Sequence, residues 1–346
     1  MSTISRTAHA QAAEDEAAVA EIMRRGGASL RERMVHIEEH LERVAAEAGA
    51  PLAVHATATV LAGGKRLRPL LVVLAATATG ARDGEHELEL VRAAVAVELV
   101  HSATLVHDDV IDGATLRRGH PSVVARAGRQ AAIATGDLLF SRAFAELARN
   151  GELVQLRALS DASSALAEGE LLQREDLYAT HVAVERYLRR CELKTAALFE
   201  AACRLGALVA SGGNGDCGLA DTLGLFARRI GLAFQLLDDV LDVSGPVERT
   251  GKPRGTDLLD GTVTLPLILA LQCDPTLESV DLAALRGPEQ AADLCDRIAA
   301  TGALAQAREQ ALALVAEAKA MLPAILPDGR AALLDLVADA VVERYR

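Results

Sequence analysis

Apolar residues recur at intervals of three and four positions along most of the chain, and alternating β-branched segments are missing. The stretches between these periodic segments are marked by Gly and Pro. The pattern predicts an all-α protein, and the length and hydrophobic content of the chain suffice for one large helical domain or two smaller ones.

The N-terminal part of the sequence predicts a boundary between a leader and a large domain. Residues 1–28 are rich in Ala, Glu and Arg, with a break at Gly26-Gly27, and predict a ragged or partly disordered leader. Helical periodicity starts at Ser29, a suitable N-cap, and Glu32 three places later completes a capping box. We therefore expect residues 29–346 to form one all-α domain.

One apolar helix is expected to end in three carboxylates. The stretch 93–113 is filled with apolar and small residues, lacks proline and reaches a Gly at its end, where a helix can stop. Its last turn carries Asp108, Asp109 and Asp112. Asp108 and Asp112 lie about 40° apart around the helix, and His101 lies within about 20° of Asp108. These side chains share one face.

The acidic pattern occurs a second time, in the stretch 234–242. There Gln235, Asp238 and Asp242 share a face by the same geometry. Like charges at this spacing repel, and the C-terminal end of a helix disfavours negative charge. Binding of a divalent cation such as Mg²⁺ is the simplest explanation for the two clusters of carboxylates. The alternative is a pair of solvated acidic helix ends.

Three short stretches carry cations beside predicted helix ends. In 63–69, paired glycines precede Lys65, Arg66 and Arg68, at the start of the next helix where anions are favoured. Arg117-Arg118 follows the first acidic cluster, and a loop at 250–257 follows the second. We interpret them as anion-binding loops; the alternative is basic turns that pair with surface acids.

Composition narrows the classes of function. The chain of 346 residues is 51% hydrophobic and has a formal net charge of −12, which argues against nucleic acid as a partner. The five cysteines show neither a CxxC spacing nor a disulfide framework. The N-terminus lacks the apolar core of a signal peptide, and no uncharged apolar run is long enough to span a bilayer. We expect a cytoplasmic protein, with peripheral membrane contact left open.

Together these features predict a reaction in which a diphosphate is the leaving group. Two acidic helices that face each other across a bundle can hold several Mg²⁺ ions, and such ions need a polyanion. A diphosphate bridged by metals and bound by Lys and Arg becomes a good leaving group. The apolar body of the bundle can then house a hydrocarbon chain and keep water from a carbocation.

The ordered set of motifs resembles the trans-polyprenyl diphosphate synthases over roughly residues 50–270. The set comprises Gly63-Gly64-Lys65-Arg66-Leu67-Arg68-Pro69, His101 with Asp108-Asp109-Val110-Ile111-Asp112, Arg117-Arg118-Gly119, Gly136-Asp137, Lys194-Thr195, Phe234-Gln235 with Asp238-Asp239-Val240-Leu241-Asp242, and Gly251-Lys252. The resemblance implies the isoprenoid synthase fold, which is a single large helical bundle with a central apolar cavity, and it implies a homodimer. It also implies a prenyltransferase that joins isopentenyl diphosphate head to tail onto an allylic diphosphate.

The resemblance also implies roles for individual residues. The Mg²⁺ ligands would be Asp108, Asp112 and Asp238, supported by Asp109, Asp239 and Asp242. Isopentenyl diphosphate would be bound by Lys65, Arg68, His101 and Arg118, and the allylic diphosphate by Arg117, Lys194 and Lys252. The allylic cation would be lined by Thr195, Phe234 and Gln235. The proton lost after condensation would go to the departing diphosphate.

Product length is expected to depend on the residues below the first acidic cluster. Ala103 and Thr104 lie five and four places before Asp108, so no bulky ring stands there to stop a growing chain. Such small residues resemble those of long-chain synthases, which make quinone side chains. We expect Phe140 or Phe144 to form a lower floor.

Three alternatives remain beside the long-chain synthase. The first is a short-chain synthase that makes farnesyl or geranylgeranyl diphosphate. The second is a terpene cyclase, which normally lacks the Gly-Gly-Lys loop and a second DDxxD. The third is a non-catalytic subunit of a two-component synthase, although such subunits usually lose aspartates and all six are present here.

Overall fold

The structure, a computed structural model, describes residues 18–47, 49–81, 84–212, 217–245, 253–326 and 329–343. The helices are α1 Gly27–Ala46, α2 Ala50–Leu61, α3 Leu67–Thr79, α4 Glu87–Asp112, α5 Val123–Ala148, α6 Leu153–Glu175, α7 Val184–Cys191, α8 Ala197–Ala210, α9 Cys217–Ser244, α10 Thr256–Leu259, α11 Leu265–Cys273, α12 Pro288–Ala300, α13 Ala303–Ile325 and α14 Ala332–Glu343. Short 3₁₀ turns cover Pro275–Ser279 and Leu282–Ala284, and a π-helical segment covers Glu192–Ala196.

The prediction of an all-α fold is confirmed. Within the described ranges, β structure is limited to the two-residue strands β1 Leu116–Arg117 and β2 His120–Pro121, which pair antiparallel. Helix α4 lies at the centre and packs against α3, α5 and α8, while α9 packs against α8 and α13. The core between them is built mainly from Ala, Val and Leu side chains.

The ends of α4 follow from its sequence. Glu87 and Glu89 occupy its first turn, where the helix dipole favours negative charge. At the other end, Gly113 takes a left-handed conformation with φ of 64° and its N–H bonds to the carbonyl of Asp109. The predicted stop at this glycine is confirmed, and it leaves the acidic cluster on the last turn.

The predicted start of α1 at Ser29 is wrong by two residues. The helix begins at Gly27, and the preceding residues 18–25 are already helical. Gly27 has φ of 75°, so the glycine pair makes the turn between the two helical segments. The cap of Ser29 is therefore not needed to start a helix there.

By length and composition, one described helix could cross a membrane. It is α4, and 72% of its most apolar window is buried inside the protein. A mostly buried core helix can have the same length and composition, so the composition of α4 is weak support for a membrane span.

Candidate active site

The two acidic clusters line one cavity of about 560 Å³. Asp108 and Asp112 reach it from the last turns of α4, and Asp238 and Asp239 reach it from α9. The predicted meeting of the two clusters is therefore observed. The cavity is also lined by five cationic side chains, Arg117, Arg118, Arg174, Arg190 and Lys194.

Burial makes negative charge unfavourable in this cavity. It raises the pKa of Asp108 to about 6, a shift that the charge of Lys194 opposes and those of Glu170 and Asp112 increase. Burial likewise raises the pKa of Asp239 to about 8, with the carboxylate of Asp257 as the next contribution. Bound cations would relieve this cost.

The oxygen donors suit Mg²⁺ in kind, because carboxylates are ligands that this ion prefers. Among the described residues, however, no three His, Cys, Asp or Glu side chains form a ready-made metal-binding group. Mg²⁺ usually keeps several waters and binds substrate phosphates. Asp108, Asp112 and Asp238 fit such an open site, in which the ions complete their coordination outside the protein.

Asp109 does not face this cavity. Its side chain is buried, and its Oδ1 accepts hydrogen bonds from Nε and Nη2 of Arg117 at 2.9 and 2.5 Å. Asp109 is one residue after Asp108, so it points about 100° away around the helix. The carboxylate thus holds Arg117 at the edge of the cavity, between α4 and the β1–β2 hairpin.

Asp242 is also outside the residues that line the cavity. Its Oδ2 accepts a hydrogen bond from the backbone N–H of Asp257 at 3.2 Å. This contact fixes the start of α10, which brings Asp257 and Asp260 to the cavity wall. The sequence analysis did not single out these two acids, although Asp257 belongs to the loop it identified.

A chain of hydrogen bonds orders the second cluster. The hydroxyl of Thr195 donates to Oε1 of Gln235 at 2.7 Å, and Nε2 of Gln235 donates to Oδ1 of Asp239 at 2.8 Å. The hydroxyl of the fully buried Tyr187 donates to Oδ2 of Asp239 at 2.6 Å. Both oxygens of Asp239 are therefore engaged, and the amide of Gln235 is fixed in one orientation.

Tyr187 was missed by the sequence analysis. A tyrosine in a helix is most simply a core residue, and its ring is one, packed against the guanidinium of Arg190 at 5.2 Å. Only the distance between its hydroxyl and Asp239 identifies its contact with the site.

Lys194 and Thr195 lie in the π-helical segment between α7 and α8. Such a segment inserts an extra residue into the helix and often occurs at functional sites. Here both side chains line the acidic cavity. The ammonium of Lys194 donates a hydrogen bond to Glu170, an acid of α6.

A second cationic group lies beside the first cavity. Burial lowers the pKa of Arg68 to about 10, and it lowers that of His101 well below its ordinary value, assisted by Arg68 and Arg118. Within the described residues, the buried Nε of Arg68 has no hydrogen-bond partner. The guanidinium of Arg118 lies close to Gly64, where a Cβ atom would meet it at 2.8 Å. Positive charge is concentrated here and suits an anion.

The loop of this cationic group is held by Arg66, which has a left-handed φ of 48°. Its guanidinium donates to Glu38 at 2.5 Å and to Glu98 at 2.9 Å. These ion pairs compensate the unfavourable backbone conformation. They also neutralise Arg66. In the same loop, Lys65 is exposed and Arg68 is partly buried.

An apolar cavity of about 370 Å³ adjoins the acidic one and shares Asp108 and Lys194 with it. Thr104 and Phe140 line it, and the ring of Phe140 stacks on His107 with centroids 5.9 Å apart. Ala103 and Phe144 are not among its lining residues. Ala103 is fully buried in the core, and Phe144 lies one helical turn beyond Phe140.

A further predicted residue, Phe234, lies outside the acidic cavity. Phe234 packs at a tilt against Phe199, with ring centroids 5.8 Å apart, and Phe199 in turn lies under the guanidinium of Arg68. It is not among the residues that line the acidic cavity. Lys252 lies outside the described residues.

Comparisons with known proteins agree with this geometry. The model of the polyprenyl synthetase family matches residues 51–300. The chain is 40% identical to heptaprenyl diphosphate synthase component 2 of Geobacillus stearothermophilus, over 75% of this chain and 78% of that protein. It is 42% identical to geranylgeranyl diphosphate synthase of Methanosarcina mazei, over 61% of this chain and 64% of that protein.

The fold is also similar to that of solved structures. One is a crystal structure of polyprenyl synthase from Caulobacter crescentus CB15, complexed with calcium and isoprenyl diphosphate. The TM-score is 0.84 at 33% identity, and the similarity covers 95% of this chain and 98% of that one.

Tyr187→Phe should lower the free energy of unfolding by about 1–2 kcal/mol, because a buried carboxylate loses one donor while the ring stays in place. Urea unfolding measures the change. Tyr178→Phe is the matched control, since Tyr178 is 47% exposed, and it should change stability by less than about 0.5 kcal/mol. Equal effects of the two substitutions would contradict the assigned role of the hydroxyl.

Asp108→Asn should stabilise the protein at pH 8 by about 1–3 kcal/mol when metals are removed with a chelator. The pKa of Asp108 is about 6 in the folded protein and about 3.9 in an unfolded chain. The folded state therefore binds more protons between these values, and stability falls as pH rises through them.

Urea unfolding at pH 4 and pH 8 measures this effect. The increase in the free energy of unfolding caused by Asp108→Asn should largely vanish at pH 4, where the wild-type carboxyl is protonated in the folded protein. Asp161→Asn, at an exposed site on α6, is the control and should show no such dependence. A gain of equal size at both pH values would show that ionisation is not its cause.

Proposed function

The chain belongs to the polyprenyl synthetase family and is a prenyltransferase, and from this premise we propose that it extends an allylic diphosphate with isopentenyl diphosphate in repeated, Mg²⁺-dependent rounds. The product is a long-chain all-trans polyprenyl diphosphate, used for a quinone side chain. One observation carries the proposal: a cavity lined by two acidic clusters and several cations adjoins an apolar cavity through Asp108 and Lys194.

The acidic cavity would hold the allylic diphosphate. Asp108, Asp112 and Asp238 would bind the metal ions, while Arg117 and Lys194 contact the phosphate oxygens. When bound, Mg²⁺ supplies the positive charge that neutralises the diphosphate as its C–O bond breaks. Arg117 is held for this task by Asp109, and Lys194 by Glu170.

The second cationic group would hold isopentenyl diphosphate. Lys65, Arg68, His101 and Arg118 supply its charges and hydrogen-bond donors. Arg118 lines the acidic cavity as well, so the two diphosphates would lie on either side of it. This arrangement would bring the two substrates into position for head-to-tail joining.

Thr195 and Gln235 line the cavity wall, where the hydroxyl of Thr195 donates to Gln235 and the amide of Gln235 donates to Asp239. Fixed dipoles of this kind stabilise a developing allylic cation without reorganisation during the reaction. The proton lost after condensation would pass to the departing diphosphate. No side-chain base is then needed.

The apolar cavity would hold the growing chain and exclude water from the cation. The small Thr104 at its wall supports a long product. Relatives of similar identity bear the names of a heptaprenyl and a geranylgeranyl diphosphate synthase. A short-chain product is therefore the alternative, and analysis of the product length distinguishes it from a long-chain product.

We also propose that two copies form a homodimer in the cytoplasm, with only peripheral membrane contact during product release. Ile111 and Leu171 line the apolar cavity, yet they are 42% and 64% exposed. A second copy that covers this wall would shield the product from water. Light scattering on the purified chain measures its mass, and a stable monomer would contradict this part of the proposal.

The purified chain, with labelled isopentenyl diphosphate, an allylic primer and Mg²⁺, should give polyprenyl diphosphates without a second protein. Asp108→Asn and Asp238→Asn should each reduce turnover by roughly 10²-fold or more, since each removes a carboxylate aimed at the leaving-group charge. Asp161→Asn should not. Near-normal turnover in both variants, or consumption of the allylic substrate without isopentenyl diphosphate, would contradict the assignment; the latter would indicate a cyclase.

Phe140→Ala should lengthen the products, because it removes a ring from the wall of the apolar cavity. Phe144→Ala is the matched control one turn along α5 and should have the smaller effect. Chromatography of the dephosphorylated labelled products measures chain length. Longer products from Phe144→Ala alone would place the floor of the cavity beyond Phe140.

A further inference from the structure

Arg174 connects the two sides of the acidic cavity. It lies in the last turn of α6 and lines the cavity together with Asp108 and Asp112. Its Nη2 donates to Oδ1 of Asp112 at 2.5 Å, and its Nε donates to Oε1 of Glu170 at 3.0 Å. The side chain thus links α6 to the acidic end of α4. No motif of the sequence analysis included it.

The contact with Asp112 conflicts with metal binding at the same carboxylate. Like charges repel, and a divalent ion carries twice the charge of an arginine side chain. A guanidinium and a divalent ion on one carboxylate therefore repel each other. Arg174 must withdraw from Asp112 when the ion binds.

Glu170 limits how far Arg174 can move. It lies one helical turn before Arg174 and accepts hydrogen bonds from both Arg174 and Lys194. The guanidinium therefore stays at the cavity beside Lys194, which also lines it. A diphosphate in this cavity offers the acceptors that a planar guanidinium binds best, because its N–H groups match two phosphate oxygens.

We propose that Arg174 exchanges partners during substrate binding. In the free protein it neutralises Asp112 in place of a metal ion, and after a divalent ion has taken Asp112 it binds the diphosphate. Arg174 is thereby a further diphosphate-binding residue. The identity of the anion rests on the proposed function, whereas the competition with the metal ion does not.

Two binding measurements test the exchange without turnover. The first is Mn²⁺ binding to the free protein, followed by the electron paramagnetic resonance signal of unbound Mn²⁺. The second is calorimetric titration with inorganic diphosphate in the presence of Mg²⁺. Both compare the wild type with Arg174→Gln, which removes the charge, and with Arg174→Lys, which keeps it. Arg157→Gln is the matched control, at an exposed arginine roughly 25 Å away along the same helix.

Arg174→Gln should bind Mn²⁺ about threefold to fivefold more tightly than the wild type, and diphosphate more weakly by a similar factor. Arg174→Lys should lie between the two in both measurements, and Arg157→Gln should match the wild type. Unchanged or weaker Mn²⁺ binding by Arg174→Gln would overturn the proposal, as would unchanged diphosphate binding. If the wild type forms polyprenyl products but Arg174→Gln binds Mn²⁺ and diphosphate as tightly as the wild type does, the exchange alone is refuted. The proposed function then stays intact.

Discussion

The repulsion between carboxylates that are held together in a buried cavity is the constraint on which the site depends. Four aspartates from α4 and α9 line one space, and burial raises the pKa of Asp108 and Asp239 there. Such an arrangement costs stability in the folded protein. It is tolerated because five cationic side chains line the same cavity and because Tyr187 and Gln235 donate hydrogen bonds to Asp239.

The donors are distributed so that each acid keeps a distinct task. Asp109 is bound by Arg117, and Asp239 by Tyr187 and Gln235, so these two hold other side chains in place. Asp112 pairs with Arg174 through a partly exposed contact that can be broken. The fixed pairs therefore build the frame of the site, and the exchangeable pair lies where a cation and a substrate would enter.

The helical fold and the shared face of Asp108 and Asp112 could be predicted from the sequence, because periodicity and spacing are local properties. The joint cavity of the two clusters was expected from the chemistry that the acids and cations would share and from the resemblance of the ordered motifs. Asp109 was given a supporting role, but Arg117 could not be identified as its partner from the sequence, because that contact forms only when the β1–β2 hairpin packs beside α4. The roles of Tyr187 and Arg174 could not be predicted from the sequence for a related reason. Their partners are 52 and 62 residues distant in the chain. Such contacts exist only after the helices have packed.

The same helix, α4, carries Asp108 and Asp112 and part of the wall of the apolar cavity. Asp108 and Thr104 are one turn apart, so in the proposed function the reacting end of the substrate and the start of the growing chain would be fixed relative to each other. Phe140 on α5 can change the cavity without moving either aspartate. In the proposed function, product length would therefore vary while the diphosphate chemistry stays constant, and relatives of 40% and 42% identity are named for products of different length.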